Sequence, residues 1–192
     1  SEHILIVNFS HLDMMLKLVR ELHSDSSTRE KEICLVDETL EEIPQELMER
    51  GVHFVKGDPT RKEVLNRAGV TRASHAIILS KDPGDPHSDD QNLATTLVME
   101  SMNDKIFSVV EIVNAEKINQ VELAGANSVI CASELSSGLI IQEMQDPGVK
   151  SIIKDLVSDL GGHQIYFVSI RKLANREYAE LVQWGLSNRY SV

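Results

Sequence analysis

The stretch that most constrains this chain is His3 to Asp37. It reads His3-Ile4-Leu5-Ile6-Val7, a short turn Asn8-Phe9-Ser10-His11, a helical run from Leu12, then Ile33-Cys34-Leu35-Val36-Asp37. An apolar run, a tight turn, an amphipathic helix, a second apolar run and an acid at its end is the order of a dinucleotide-binding βαβ unit. Leu12, Met15, Leu16, Val19 and Leu22 recur at helical spacing. Such a unit ordinarily has glycines in its first turn, for the turn itself, for close backbone approach to a pyrophosphate and for helix–strand packing. Asn8, Ser10 and Asp13 occupy those places here. Side chains at positions 8 and 10 are expected to obstruct the pyrophosphate. The start of the first helix still offers an anion backbone N–H groups and a favourable dipole, and Ser10 a hydroxyl. A scaffold kept with an altered phosphate grip points to a sensor related to the enzymes.

The alternation continues along the chain. Strands are expected at Ile4–Val7, Ile33–Val36, Val52–Val55, Ala76–Leu79, Phe107–Val113 and Val129–Cys131. Helices are expected at Leu12–Leu22, Pro44–Arg50, Arg61–Ala68, Ser88–Met102, Glu116–Ala124, Glu134–Gln145 and Lys150–Leu160. Ser88 or Asp89 is a candidate cap of its helix, and Thr60 of the one after Gly57-Asp58-Pro59. Close βα steps imply an α/β fold with a doubly wound, Rossmann-like parallel sheet. A further strand at Gln164–Ile170 and a helix at Glu177–Trp184 follow Gly161-Gly162. Residues 1–133 are read as the Rossmann-like domain, 134–162 as a helix-turn-helix element and 163–192 as the start of a second lobe that the sequence cuts short.

The formal charge of −11 argues against nucleic acid or an anionic membrane as a partner. Cys34 and Cys131 lie in apolar runs and read as buried, reduced thiols. No apolar stretch nears the ~20 residues of a membrane span. The chain starts at Ser1 with no initiator Met. It is therefore expected to be part of a longer protein, whose remainder could carry a membrane segment.

At Gly57-Asp58-Pro59-Thr60, at Ala124-Gly125-Ala126-Asn127 and in the helix pair that follows, the chain resembles a known family. This is the regulatory domain of potassium channels and transporters, called RCK in channels and KTN or TrkA-N in transporters. The resemblance covers about Ile4 to Ile170. It implies a cytosolic domain at the inner face of the membrane that pairs through its helix-turn-helix and assembles as a ring under a potassium pore. Ligand bound in the Rossmann cleft or at the dimer interface would change the ring's shape and gate the pore. Membrane contact would come only through a missing pore segment. The transporter branch usually binds NAD or adenine nucleotides.

Candidate cofactor-binding residues lie at the strand ends: Asn8, Ser10, His11, Asp37, Glu38, Asp58, Thr60, Ser80 and Glu111. An acid such as Asp37 at the end of strand two holds ribose hydroxyls in the general fold. The resemblance places Asp58 near the adenine end of the cleft. In calcium-gated members, acids at the end of strand five help to hold the ion. Glu111 fits one such place, but Val113 stands where a second acid would be. Asp82 and Asp85, in the loop after strand four, are the other candidate calcium ligands. Leu139, Ile140, Met144, Ile152, Ile153 and Leu156 have apolar spacing on the two short helices and are expected in a homodimer interface; packing of both helices on the sheet is the alternative. No Tyr-x-x-x-Lys pair, G-x-S-x-G elbow or Cys–His signature is present, so no catalytic residue is assigned. A gating-ring domain is the leading reading. An NAD-dependent oxidoreductase with a divergent glycine turn, a regulatory subunit of a potassium uptake transporter and a free-standing dimerisation module remain alternatives. The gating ligand is not named by the sequence.

Overall fold

The computed structural model describes residues 2–82, 84–85, 87–157 and 177–188. Six strands, β1 (Ile4–Val7), β2 (Ile33–Asp37), β3 (Val52–Lys56), β4 (His75–Ile78), β5 (Phe107–Ile112) and β6 (Ser128–Cys131), form one sheet in the order β3-β2-β1-β4-β5-β6. Every pairing is parallel. Ile4 lies opposite Ile33 on one side and His75 on the other, so β1 is the central strand at which the winding reverses. All residues of β1 and β2 are buried, as expected for inner strands covered on both faces.

The period of a strand divides the core in two. Ile4, Ile6, Ile33 and Leu35 face α1 (Leu12–Ser24) and α2 (Gln45–Met48), meeting Met15, Val19 and Leu47. Leu5, Val7 and Val36 face the opposite layer with Val64, Leu65, Met99 and Val121. That layer is α3 (Lys62–Arg67), α4 (Ser88–Met102) and α5 (Ile118–Leu123). α6 (Ala132–Gln145) starts directly after β6, α7 (Val149–Val157) follows, and α8 spans Tyr178–Asn188.

Two caps differ from the sequence expectation. Thr60 does not cap α3; Arg61 holds the position before the helix, and the Thr60 hydroxyl donates to Asp58 Oδ1 at 2.7 Å within the preceding turn. His87 precedes α4, and Asp89 lies inside the helix with its carboxylate accepting from Val113 N and Asn114 N, both at 2.8 Å. The acid thus ties α4 to the end of β5. The expected strand Gln164–Ile170, and with it most of the second lobe, lies outside the described residues.

The two-helix element is not packed as a core layer. No residue of α6 is buried. Ile140, Met144 and Ile152 are 70%, 76% and 61% exposed, Ile153 is also exposed, and Leu139 is half-buried. The side chain of Leu156 lies outside the described residues.

Candidate functional site

The crevice outside the carboxyl end of β1 is where an open parallel sheet binds ligands, because the neighbouring crossovers leave in opposite directions. The turn after β1 is built by Asn8. Its φ of +69° is the left-handed conformation that glycine usually supplies and that asparagine tolerates better than most residues. The expectation of an obstructed pyrophosphate has this side chain projecting into the crevice; in the structure it points into the protein. Asn8 is 1% exposed and its amide turns inward, donating to Leu79 O at 2.9 Å and Asn92 Oδ1 at 3.0 Å. Asn92 in turn donates to Leu79 O at 3.2 Å and Glu111 O at 2.9 Å. A side chain where the fold prefers none is therefore used as a stitch between β1, β4, β5 and α4. Ser10, which precedes α1, is also turned aside, its hydroxyl donating to Met14 Sδ in the helix at 3.3 Å. His11 precedes α1 in an extended conformation and is exposed.

Asp37 is hydrogen-bonded within the protein. It is fully buried. One carboxylate oxygen accepts from Phe9 N at 2.9 Å; the other accepts from Thr39 N and Leu40 N at 2.7 Å and from the Thr39 hydroxyl at 3.0 Å. These contacts join the turn after β1 to the loop after β2, so Asp37 shapes the crevice. The exposed acid at this strand end is its neighbour, Glu38. Lys81, after β4, reaches Glu38 at 4.0 Å.

Asp58 and Thr60 form a separate turn beyond β3, joined to Asp37 by Gly57 N donating to Asp37 O at 2.9 Å. Slight burial pushes the Asp58 carboxyl up, but hydrogen bonds from Thr60 and Arg61, with the charge of Arg61, outweigh it and hold Asp58 below the ordinary carboxylate range.

Ser80 and Glu111 meet on the other side of β1. Glu111 accepts from Ser80 N at 2.9 Å, and the Ser80 and Ser88 hydroxyls are 3.0 Å apart. These residues open onto a cavity of about 250 Å³ lined also by Val113, Ser133 and Ser136. The proposed metal set of Glu111, Asp82 and Asp85 does not converge. Asp82 accepts from Gly84 N and Asp85 from His87 N, each within its own loop turn. Among the described residues no three His, Cys, Asp or Glu side chains gather as a metal site. Cys34 and Cys131 are buried free thiols, and burial pushes Cys34 up to about 11.

Sequence reasoning missed Lys81 and Asn92, and read Asp89 as a cap rather than as the tie to β5. For the last two a signal existed. Ser88, Asp89, Asn92, Thr95, Thr96 and Met99 are all buried at helical spacing, so the inward stripe of α4 is polar. Hydrophobic periodicity looks for the opposite pattern.

The family model of the TrkA-N domain matches residues 15–132. The chain belongs to the TrkA-N domain family. It is 29% identical over 145 residues to the provisionally named potassium channel protein YugO of Bacillus subtilis (strain 168), covering 75% of this chain and 42% of that protein. It is 27% identical over 123 residues to the calcium-gated potassium channel TvoK of Thermoplasma volcanium, covering 62% of this chain and 35% of that one. Its structure superimposes on GsuK bound to ADP with a TM-score of 0.50 at 25% identity, covering 67% of this chain and 31% of that chain. The chain thus spans less than half the length of the curated relatives it matches. The TrkA-N fold accounts for the strand order and for the crevice at β1. No described helix is long and apolar enough to cross a membrane.

Proposed function

We propose that this chain is a cytosolic, non-catalytic sensing domain of a potassium channel, which binds an adenine nucleotide in the β1 crevice and passes its occupancy to the pore through subunit contacts. The observation that carries the reading is the inward turn of the Asn8 amide in a family whose relatives are named as channels. It leaves the outer side of the turn clear of that side chain and of the Ser10 hydroxyl, so loss of the glycines does not by itself close the phosphate site. The likeness to GsuK bound to ADP gives the ligand class.

Residues 1–133 act as the sensing unit, and α6 and α7 pair with a second copy through Ile140, Met144 and Ile152, part of a ring under the pore. The second lobe begins in residues 163–192. A ligand shifts such an assembly only as far as it binds one ring shape better than the other. A tenfold preference is worth ~1.4 kcal/mol per site, and identical sites add. Calcium is the weaker ligand reading, since Glu111 is engaged with Ser80 N and the second acid is Val113.

The test is potassium flux through the full-length protein in liposomes with ADP, NAD or calcium added singly. A response to ADP or NAD without nucleotide turnover is expected. Indifference to both nucleotides overturns the ligand assignment, and turnover of the nucleotide overturns the non-catalytic reading.

A further inference from the structure

Glu38 follows β2 and Lys81 follows β4, and in the sheet these strands flank β1. Strands lie ~4.8 Å apart, so the two backbones are separated by roughly twice that. The Lys81 side chain covers the gap and brings its ammonium to 4.0 Å from the Glu38 carboxylate. The ion pair therefore joins the two sides of the crevice across the end of β1, where the sensing reading puts the nucleotide.

The pair is built to exchange. Its side chains are 29% and 49% exposed, and an ion pair of that exposure and length contributes little to stability. Both anchors are rigid by contrast. Glu38 follows the buried Asp37, whose carboxylate holds two loops together. Lys81 has its backbone N–H donated to Ser88 Oγ at 3.0 Å. The ammonium is thus a mobile cation on a fixed stem beside an anion site that lacks its usual glycines.

We infer that Lys81 is the phosphate-charge partner of this crevice and that Glu38 holds it until a ligand with phosphate arrives. Entry of the nucleotide exchanges the Glu38–Lys81 pair for a Lys81–phosphate pair. Glu38, released and exposed, is then free to accept from the ribose hydroxyls, a task for which it is more open than Asp37, which is 0% exposed and bonded to Phe9, Thr39 and Leu40. The exchange deepens the nucleotide-sensing reading and rests on it. It makes phosphate the recognised group, and it makes affinity sensitive to whichever side chain competes for Lys81.

Calorimetric titration of the full chain with ADP and with adenosine tests it, on the parent, Lys81→Met, Lys81→Arg and Glu38→Gln. Lys81→Met is expected to weaken ADP at least tenfold without weakening adenosine; Lys81→Arg should retain most of the ADP affinity. Glu38→Gln is expected to leave adenosine unchanged, because without phosphate Glu38 stays paired with Lys81, and to strengthen pyrophosphate, titrated in parallel, which competes with Glu38 for Lys81 and carries no ribose. Equal losses for ADP and adenosine in Lys81→Met, or no loss in either, overturn the role of Lys81. Parent-like pyrophosphate binding in Glu38→Gln overturns the exchange. If the parent binds neither ADP nor adenosine, the nucleotide reading itself fails and the exchange falls with it. Unaltered thermal unfolding of the variants without ligand separates these outcomes from misfolding.

Discussion

Asn8 and Asn92 hydrogen-bond amide to amide at 3.0 Å beneath the turn after β1, although 84 residues separate them in the chain. The contact replaces the conformational freedom of a glycine with an anchored side chain. Asn8→Ala keeps the left-handed turn without the residue type that tolerates it and removes two buried hydrogen bonds. A loss of about 2 kcal/mol is expected, measured by urea unfolding. Asn8→Gly should restore the turn but not the bonds, and fall between parent and alanine variant.

Asp37→Ala is expected to act on the fold before it acts on any ligand. It leaves the N–H groups of Phe9, Thr39 and Leu40 without their acceptor. The cost should reach about 3 kcal/mol. Hydrogen exchange at these amides reports the loosened loops directly. Parent-like stability and protection would remove Asp37 from its structural role.

Gly57 has a φ of +152°, and a Cβ there would lie 2.7 Å from Val64 Cγ2. Val64 is buried on α3, so it cannot swing away freely. Gly57→Ala should therefore lower stability by about 2 kcal/mol, read as a lower denaturant midpoint with an unchanged slope.

His75 provides a pH test. Burial lowers its pKa first, the charge of Lys31 lowers it further, and Glu2 opposes them less strongly. Lys31 Nζ is 3.2 Å from His75 Nδ1, an arrangement in which the ammonium donates to a neutral ring. Because the folded pKa lies below the unfolded one, the unfolded chain binds the proton first as pH falls below about 6.5. The contribution of His75 to stability is present above that pH and declines as pH drops through the folded pKa. Thermal unfolding between pH 7.5 and 5 should show the decline, and His75→Gln should flatten it.

Ile152→Asp should shift the chain from dimer to monomer in sedimentation at micromolar concentration. The reason is that Ile152 and its neighbours Ile140 and Met144 are mostly exposed in the single chain. Parent-like sedimentation would show that α6 and α7 do not form the pairing surface.

Element order was readable from the sequence because it depends on local period and on punctuation. Ile4–Val7 and Ile33–Val36 are continuous apolar runs whose burial on two faces follows from composition. Gly51, Gly69 and Gly125 end the segments before β3, β4 and β6, each with positive φ. The helix starts were less readable: Thr60 and Asp89 have the chemistry of caps, and only the position of competing partners decides against that use.

The sequence by itself determined the parallel α/β scaffold and the edge at which a ligand would bind. Those depend on which residues are apolar and how often they recur. Tertiary structure alone decided what the polar residues at that edge do. Asn8 faces inward because Leu79 O and Asn92 are there to receive its amide. Asp37 is hydrogen-bonded internally because Phe9 N and the loop after β2 converge on it. Lys81 meets Glu38 because β1 lies between their strands. A hydrogen bond depends on distance and direction between groups far apart in sequence, and the fold fixes those only once the apolar layers have packed.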